Sequence, residues 1–149
     1  MSLLAEFIKR FEGYAKRLAN GDCVPYLCSA GVLTLGFGAT QRGVHPNARW
    51  TREQAEARLQ EDLAAFSKGV LALSPGLAEE AETKRVAAIS FAYNCGLGNY
   101  RASTFRRRVE AKDWHGAAVQ LKRWDKAAGK VVRGLILRRS AEAALLLAG

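Results

Sequence analysis

Glu12 is the side chain in this 149-residue sequence best placed to give up a proton. It follows an apolar stretch containing Leu4, Phe7, Ile8 and Phe11 and stands directly before Gly13. A carboxylate at the end of a helix faces the unfavourable pole of the helix dipole, so helix stability does not explain its place. Among apolar neighbours its charged form is disfavoured, and the proton is then held near neutral pH, ready for transfer. The plain alternative is a solvated Glu at a helix end, the usual fate of such a residue. Further along, Tyr26, Cys28 and Thr34 lie in one glycine-punctuated run. A thiol and a hydroxyl near an acid can orient a water, yet free Cys is also a common small core residue and Thr a good strand former. Asp22 offers a second carboxylate, although loop aspartates are usually turn residues. Three cysteines (Cys23, Cys28 and Cys95) make an odd number, with no Cys-x-x-Cys, and His45 and His115 are isolated. Neither a disulfide framework nor a metal site is expected, and no cofactor.

The chain carries 23 Lys plus Arg against 14 Asp plus Glu, a net charge of +9. Residues 1–100 are nearly balanced, with 11 basic and 10 acidic side chains, whereas residues 101–149 hold 12 basic and 4 acidic, a net of +8. Such a field attracts a polyanion, either nucleic acid or an anionic bacterial wall, while a solvated helix surface is the simpler explanation. No nucleic-acid-binding motif accompanies the charge, so no nucleic-acid partner is expected. No apolar run approaches the ~18 residues of a membrane span, and stable membrane insertion is not expected. Glu6 and Lys9 interrupt what would be the apolar core of an export signal, which points to a protein made in the cytoplasm. Hydrophobic residues at 49% and charged residues at 25% describe an ordinary globular chain of one domain, expected to be a monomer.

The elements that must position these residues follow from periodicity. Leu3 to Gly13 reads as a helix capped by Ser2. Tyr26 to Cys28 and Gly31 to Gly38 read as short antiparallel strands. Thr51 and Gln54 form a near capping box that opens a helix to about Lys68, with Ala55, Leu59, Leu63 and Phe66 on its buried side. After a break at Ser74-Pro75-Gly76 the reading is all helix: Thr83 to Cys95, a helix capped by Ser103, one capped by Asp113, and a last one from Leu135 to Leu147. The expected architecture is α+β, residues 1–149 as a single domain. A small sheet lobe covers about 14–50, a connecting helix about 51–68, and a helical lobe about 75–149 plus the N-terminal helix 3–13. A cleft is expected between the lobes, a favoured place for a ligand.

The run from Tyr26 to Thr40, read as Tyr-x-Cys-x-x-Gly-x-x-Thr-x-Gly-x-Gly, resembles the phage-type lysozymes, or endolysins, of glycoside hydrolase family 24. Phe11-Glu12-Gly13 precedes it. Phe91 to Gly96, Ser103-Thr104, Arg123-Trp124, Ala128 to Val131, Gly134-Leu135 and Arg138 to Glu142 follow in the family's order. The resemblance implies a lysozyme-like fold and hydrolysis of the β-1,4 bond between N-acetylmuramic acid and N-acetylglucosamine in bacterial peptidoglycan. A wall-binding protein silenced by the cysteine is the alternative. The resemblance to the family implies a triad of Glu12, Cys28 (where many members carry Asp) and Thr34, six positions on. It also implies Asn94 and Tyr26 as substrate-binding residues, and a protein held in the host bacterial cytoplasm until its release to the cell wall. Cys28 stands sixteen residues after Glu12, so the loop from Lys16 to Pro25 is about seven residues longer than in most members, and Asp22 in that loop is the rival second group. Ala39 stands where relatives often have His. Cys28 either orients a water together with Thr34 or, as a thiolate, attacks the sugar. A Cys23–Cys28 disulfide would disable the site under oxidation but is not expected of a cytoplasmic product. Cys23 and Cys95 are expected to be structural, and Trp124 to pack in the core. Trp50 and Trp114 are open to stacking on sugars.

Overall fold

The computed structural model describes residues 2–14 and 16–149, and these group into two compact units, Met1–Leu63 and Ala64–Gly149.

The first unit opens with helix α1 (Leu3–Glu12). The Ser2 hydroxyl accepts the Ala5 N–H at 3.1 Å, and Gly13, at φ +65°, donates its N–H back to the Lys9 carbonyl and ends the helix. Ala5, Phe7 and Ile8 are its buried side. Strands β1 (Tyr26–Leu27) and β2 (Leu33–Thr34) pair antiparallel, with Tyr26 opposite Thr34. The ladder is shorter than the strand expected up to Gly38. Gly36 and Gly38 sit at φ +66° and +94°, values only glycine adopts without strain, and they fold the chain back so that Leu35 and Ala39 exchange two backbone bonds of 2.9 Å. The long loop before β1 is a hydrogen-bonded ribbon of its own. The Val24 N–H reaches the Lys16 carbonyl at 3.2 Å, Leu18 reaches Asp22 at 2.6 Å, and the buried Cys23 exchanges two bonds with Trp50.

Helix α2 (Arg52–Leu73) begins with the expected capping box, Thr51 N–H to the Gln54 amide oxygen at 2.9 Å and Gln54 N–H to the Thr51 hydroxyl at 3.1 Å. It runs past the expected end at Lys68 and stops at Ser74-Pro75, where proline cannot continue it.

In the second unit a 3₁₀ turn (Pro75–Glu79) leads to α3 (Glu82–Cys95), α4 (Leu97–Ala102), α5 (Thr104–Glu110) and α6 (Trp114–Lys122). Ser103 and Asp113 cap α5 and α6 through the N–H groups of Arg106 and Gly116, both at 3.0 Å. Phe91, on the apolar α3, is fully buried and meets Phe105 and Trp124 edge-on at 5.1 and 5.2 Å, with Tyr100 beside them. Two short strands, β3 (Lys126–Ala127) and β4 (Lys130–Val131), then interrupt the expected run of helices. Their two-residue turn, Ala128 and Gly129, has positive φ at both positions, the backbone that closes a tight hairpin. Helix α7 (Arg133–Leu147) packs against α3 and α6.

One expectation from charge is corrected here. Arg138 and Arg139, counted with the basic surface, are buried. The Glu142 carboxylate lies 2.7 Å from the Arg139 Nε and 3.4 Å from the Arg138 Nε, and Ser90 donates its hydroxyl to the same carboxylate at 2.5 Å. A buried charge persists only when paired in this way. The architecture is α+β, helix-dominated, with small antiparallel ladders.

Tyr100 is fully buried, its phenol within 2.7 Å of the Ser74 hydroxyl. Burial pushes that phenol up to about 12 from 10, against the opposing pull of Ser74 and Arg106, and Tyr14 is raised to the same value. The fold therefore favours the protonated phenols. Their contribution is complete below pH 10 and is lost as pH rises from 10 through 12. The thermal unfolding midpoint should fall across that interval, and the fall should be shallower in Tyr100→Phe, which has one less phenol to ionise.

Candidate active site

Glu12 is the last residue of α1. Its helix is anchored by the Lys9 ammonium, which pairs with Glu56 of α2 at 2.5 Å and lies 4.8 Å over the Phe37 ring. The turn from Leu35 to Ala39 runs directly against the Glu12 carboxyl. A Cβ placed on Gly38 would lie 2.9 Å from both the carboxyl carbon and Oε2 of Glu12. Only a residue without a side chain allows this approach, so Gly38 leaves room for the acid at this position. Nothing in the spacing pattern assigned Gly38 that task, although its place in the glycine run was the available signal.

The β1–β2 hairpin supplies the other groups. Tyr26 and Thr34 are register partners, and Cys28 extends β1 by one residue. The Val32 carbonyl accepts both the Cys28 N–H at 3.0 Å and the Thr34 hydroxyl at 2.9 Å. One backbone oxygen thus ties the thiol-bearing residue and the hydroxyl together. Thr34 is buried, and its proton is committed to Val32, which leaves its oxygen lone pairs to accept. Cys28 is half-buried with a free thiol. The Tyr26 phenol is pushed up to about 12, first by burial, then by the charges of Glu12, Cys28 and Cys23. Glu12, Tyr26, Cys28 and Thr34 are therefore brought together within one unit.

Asp22 is held elsewhere. Its carboxylate accepts from the Arg49 Nε at 2.9 Å and from the Asn20 amide at 3.3 Å, and its N–H closes a turn onto Asn20. These bonds account for Asp22 as a clasp of the ribbon. Cys23 is free and fully buried, bridged to Trp50 through the backbone. Trp50 is half-buried beside the Arg58 guanidinium, 5.6 Å from its ring, and Trp114 is half-buried beneath the Lys84 ammonium at 5.2 Å.

Asn94 belongs to the second unit, exposed at the end of α3. Its side-chain oxygen accepts from Arg139 at 2.9 Å, and the same guanidinium donates to the Cys95 sulfur at 2.9 Å. Burial pushes the Cys95 thiol up in spite of that guanidinium, which suits a structural cysteine. Among the described residues no group of three or more His, Cys, Asp or Glu is placed to hold a metal ion.

A helix-borne carboxyl lies against the Gly38 turn, in the same unit as a hairpin that carries a hydroxyl and a thiol, a set of groups suited to glycoside hydrolysis of the lysozyme kind. The comparisons with known proteins agree. The model of the phage lysozyme family matches residues 9–142, and the chain belongs to that family. It is 37% identical over 126 residues to a SAR-endolysin of Bacteriophage PS119, covering 84% of this chain and 74% of the relative. Among solved structures, the endolysin of Escherichia coli O157:H7 phage FAHEc1 superposes with a TM-score of 0.76 at 29% identity, covering 99% of this chain and 94% of that one. The muramidase domain of SpmX from Asticaccaulis excentricus superposes at 0.80 with 28% identity, covering 100% and 97%. The protein is accordingly a lysozyme, an enzyme that degrades bacterial peptidoglycan.

Gly38→Ala tests the contact that seats the acid. The new methyl must push the Glu12 carboxyl aside, and φ +94° is strained for alanine. A displacement of about 1 Å can cost on the order of a hundredfold in rate. Wall-clearing activity should fall by that order, while circular dichroism shows the helical content unchanged.

Proposed function

We propose that the enzyme cuts the β-1,4 bond between N-acetylmuramic acid and N-acetylglucosamine, with Glu12 as the general acid. Glu12 donates its proton to the bridging oxygen as the bond from that oxygen to the anomeric carbon breaks. A water held by Cys28 and Thr34 adds to that carbon, and the proton it releases restores the acid through solvent. Thr34 accepts a hydrogen bond from this water, because its own proton is already given to Val32. Two polar groups acting on either side of the scissile bond are what such hydrolysis requires. The observation that supports this reading is the closeness of Gly38 to the Glu12 carboxyl, next to the hairpin that holds Cys28 and Thr34 on one carbonyl.

Asp22 is set aside as the second group because Arg49 and Asn20 occupy its carboxylate. Tyr26 contacts the sugar through a phenol that stays protonated below about pH 12. Asn94, with its oxygen taken by Arg139, offers its amide N–H groups to the saccharide. The two compact units act as one lysozyme domain spanning residues 1–149, working as a monomer without cofactor. Among the described residues no helix is long and apolar enough to cross a membrane. The enzyme is held in the host bacterial cytoplasm until release to the wall, and its role there is host lysis, in keeping with relatives named endolysins.

Glu12→Gln should slow release of reducing ends from purified peptidoglycan by roughly a hundredfold to ten-thousandfold, the usual worth of a general acid. Cys28→Ser should keep part of the activity, because a serine hydroxyl still orients water. Equal rates in wild type and Glu12→Gln would overturn the assignment of the acid. Wall binding by the wild type without any release of reducing ends would mean a silent binding protein. A sugar adduct on Cys28, found by mass spectrometry, would replace the water-orienting role by direct attack.

A further inference from the structure

Helix α7 buries three of its four charged residues, Arg138, Arg139 and Glu142, and leaves Arg133 exposed, while Ile136, Leu137 and Leu147 are 42%, 53% and 45% exposed. At about 100° per residue, Arg133, Ile136, Leu137, Ser140, Ala144 and Leu147 all fall within one arc of about 100°. All six are exposed. A surface helix normally presents mostly charge there, whereas this face carries one cation, Arg133, and one hydroxyl, Ser140, among its apolar side chains. Val131, at the end of the adjoining β4, is 57% exposed and continues the apolar strip. The β3–β4 hairpin leads straight into α7, with the Ile136 N–H bonded to the Val132 carbonyl.

The chain leading into this helix is strongly basic, with Lys122, Arg123, Lys126, Lys130 and Arg133 exposed. Two acids occur between residues 114 and 149: Glu142 is fully buried, and Asp125 pairs with Lys126 at 3.2 Å. At the far end of the helix, exposed Glu82 adjoins Thr83, which donates its hydroxyl to the Ala148 carbonyl. An occupant both apolar and anionic matches the Val131 to Leu137 end of the face. A second copy of this chain would set like charges against one another. Wall polymers and nucleic acid match the charge but cannot cover Ile136, Leu137 and Leu147. A lipid surface with anionic headgroups meets both demands, since the side chains enter the headgroup–acyl boundary while lysine and arginine hold the phosphates.

We propose that the outer face of α7, with the β3–β4 hairpin, is a peripheral docking surface for anionic phospholipid bilayers. It holds the enzyme at the membrane face without crossing the bilayer. The proposal does not depend on the roles given to Glu12, Cys28 and Thr34.

The test is co-sedimentation with vesicles of phosphatidylglycerol and phosphatidylcholine, against phosphatidylcholine alone, using the whole chain. Wild type and Glu12→Gln should bind the mixed vesicles equally, bind neutral vesicles weakly, and be released by salt. Ile136→Asp with Leu137→Asp should weaken binding by about tenfold or more, by loss of apolar burial and by repulsion. Lys130→Glu with Arg133→Glu should do the same. Both double variants alter exposed residues and should hydrolyse soluble peptidoglycan fragments at the wild-type rate. The proposal is overturned by wild-type protein left in the supernatant with anionic vesicles, or by binding that neither double variant reduces. Sedimentation equilibrium giving a dimer abolished by Ile136→Asp with Leu137→Asp would assign the face to a second copy instead.

Discussion

The first unit is organised around a close approach between a backbone and a carboxyl. The chain at Gly38 passes so near the Glu12 carboxyl that no side chain fits between them. That approach needs the sharp return from Leu35 to Ala39, and the return in turn needs two glycines at positive φ. Glycine here is selected by contact distance as well as by torsion. Gly13 ends α1 beside this turn, and Lys9 ties the helix to Glu56 of α2. In the proposed mechanism, the position of this carboxyl beside the turn is what places its proton for transfer.

The second unit depends on a different device. Arg138, Arg139 and Glu142 are buried together, with Ser90 donating to the carboxylate. Such a cluster adds little net stability compared with apolar packing, but removing one member strands a charge at a cost of about 3–5 kcal/mol. Its value lies in direction. Arg139 reaches the side-chain oxygen of Asn94 and the sulfur of Cys95 from the same guanidinium, so the end of α3 is oriented by charge-assisted bonds. Burying the charges of α7 also leaves Ile136 and Leu137 on the outside.

Much of this was legible in the sequence, for identifiable reasons. Glu12 stood out because it closes an amphipathic helix before glycine, and the Thr51–Gln54 capping box was visible as a pattern of residue types. The α+β class followed from a glycine-rich run set among helical periods. Three features were hidden. The strand expected up to Gly38 became a turn, because a run of small and β-branched residues does not reveal which glycines take positive φ. The β3–β4 hairpin lay in a stretch expected to be all helix, since Ala128 at φ +51° gives no compositional signal. Arg138 and Arg139 counted as surface charge because a linear tally cannot show that Glu142 meets both. For the site, residue types were readable but their union was not. The Val32 carbonyl that joins Cys28 to Thr34 is a main-chain atom, and any residue type supplies one.

The ribbon from Lys16 to Val24 bears on how such an enzyme changes over time. Because Cys23 is stitched to Trp50 and Val24 to Lys16, the extra chain closes on itself and re-enters β1 in fixed alignment. Lengthening or trimming at its tip, around Ala19 and Asn20, is absorbed before the hairpin begins. The number of residues between Glu12 and Cys28 can then change at the loop tip without shifting the alignment in which the chain enters β1. The same tip is a natural place to graft a foreign peptide.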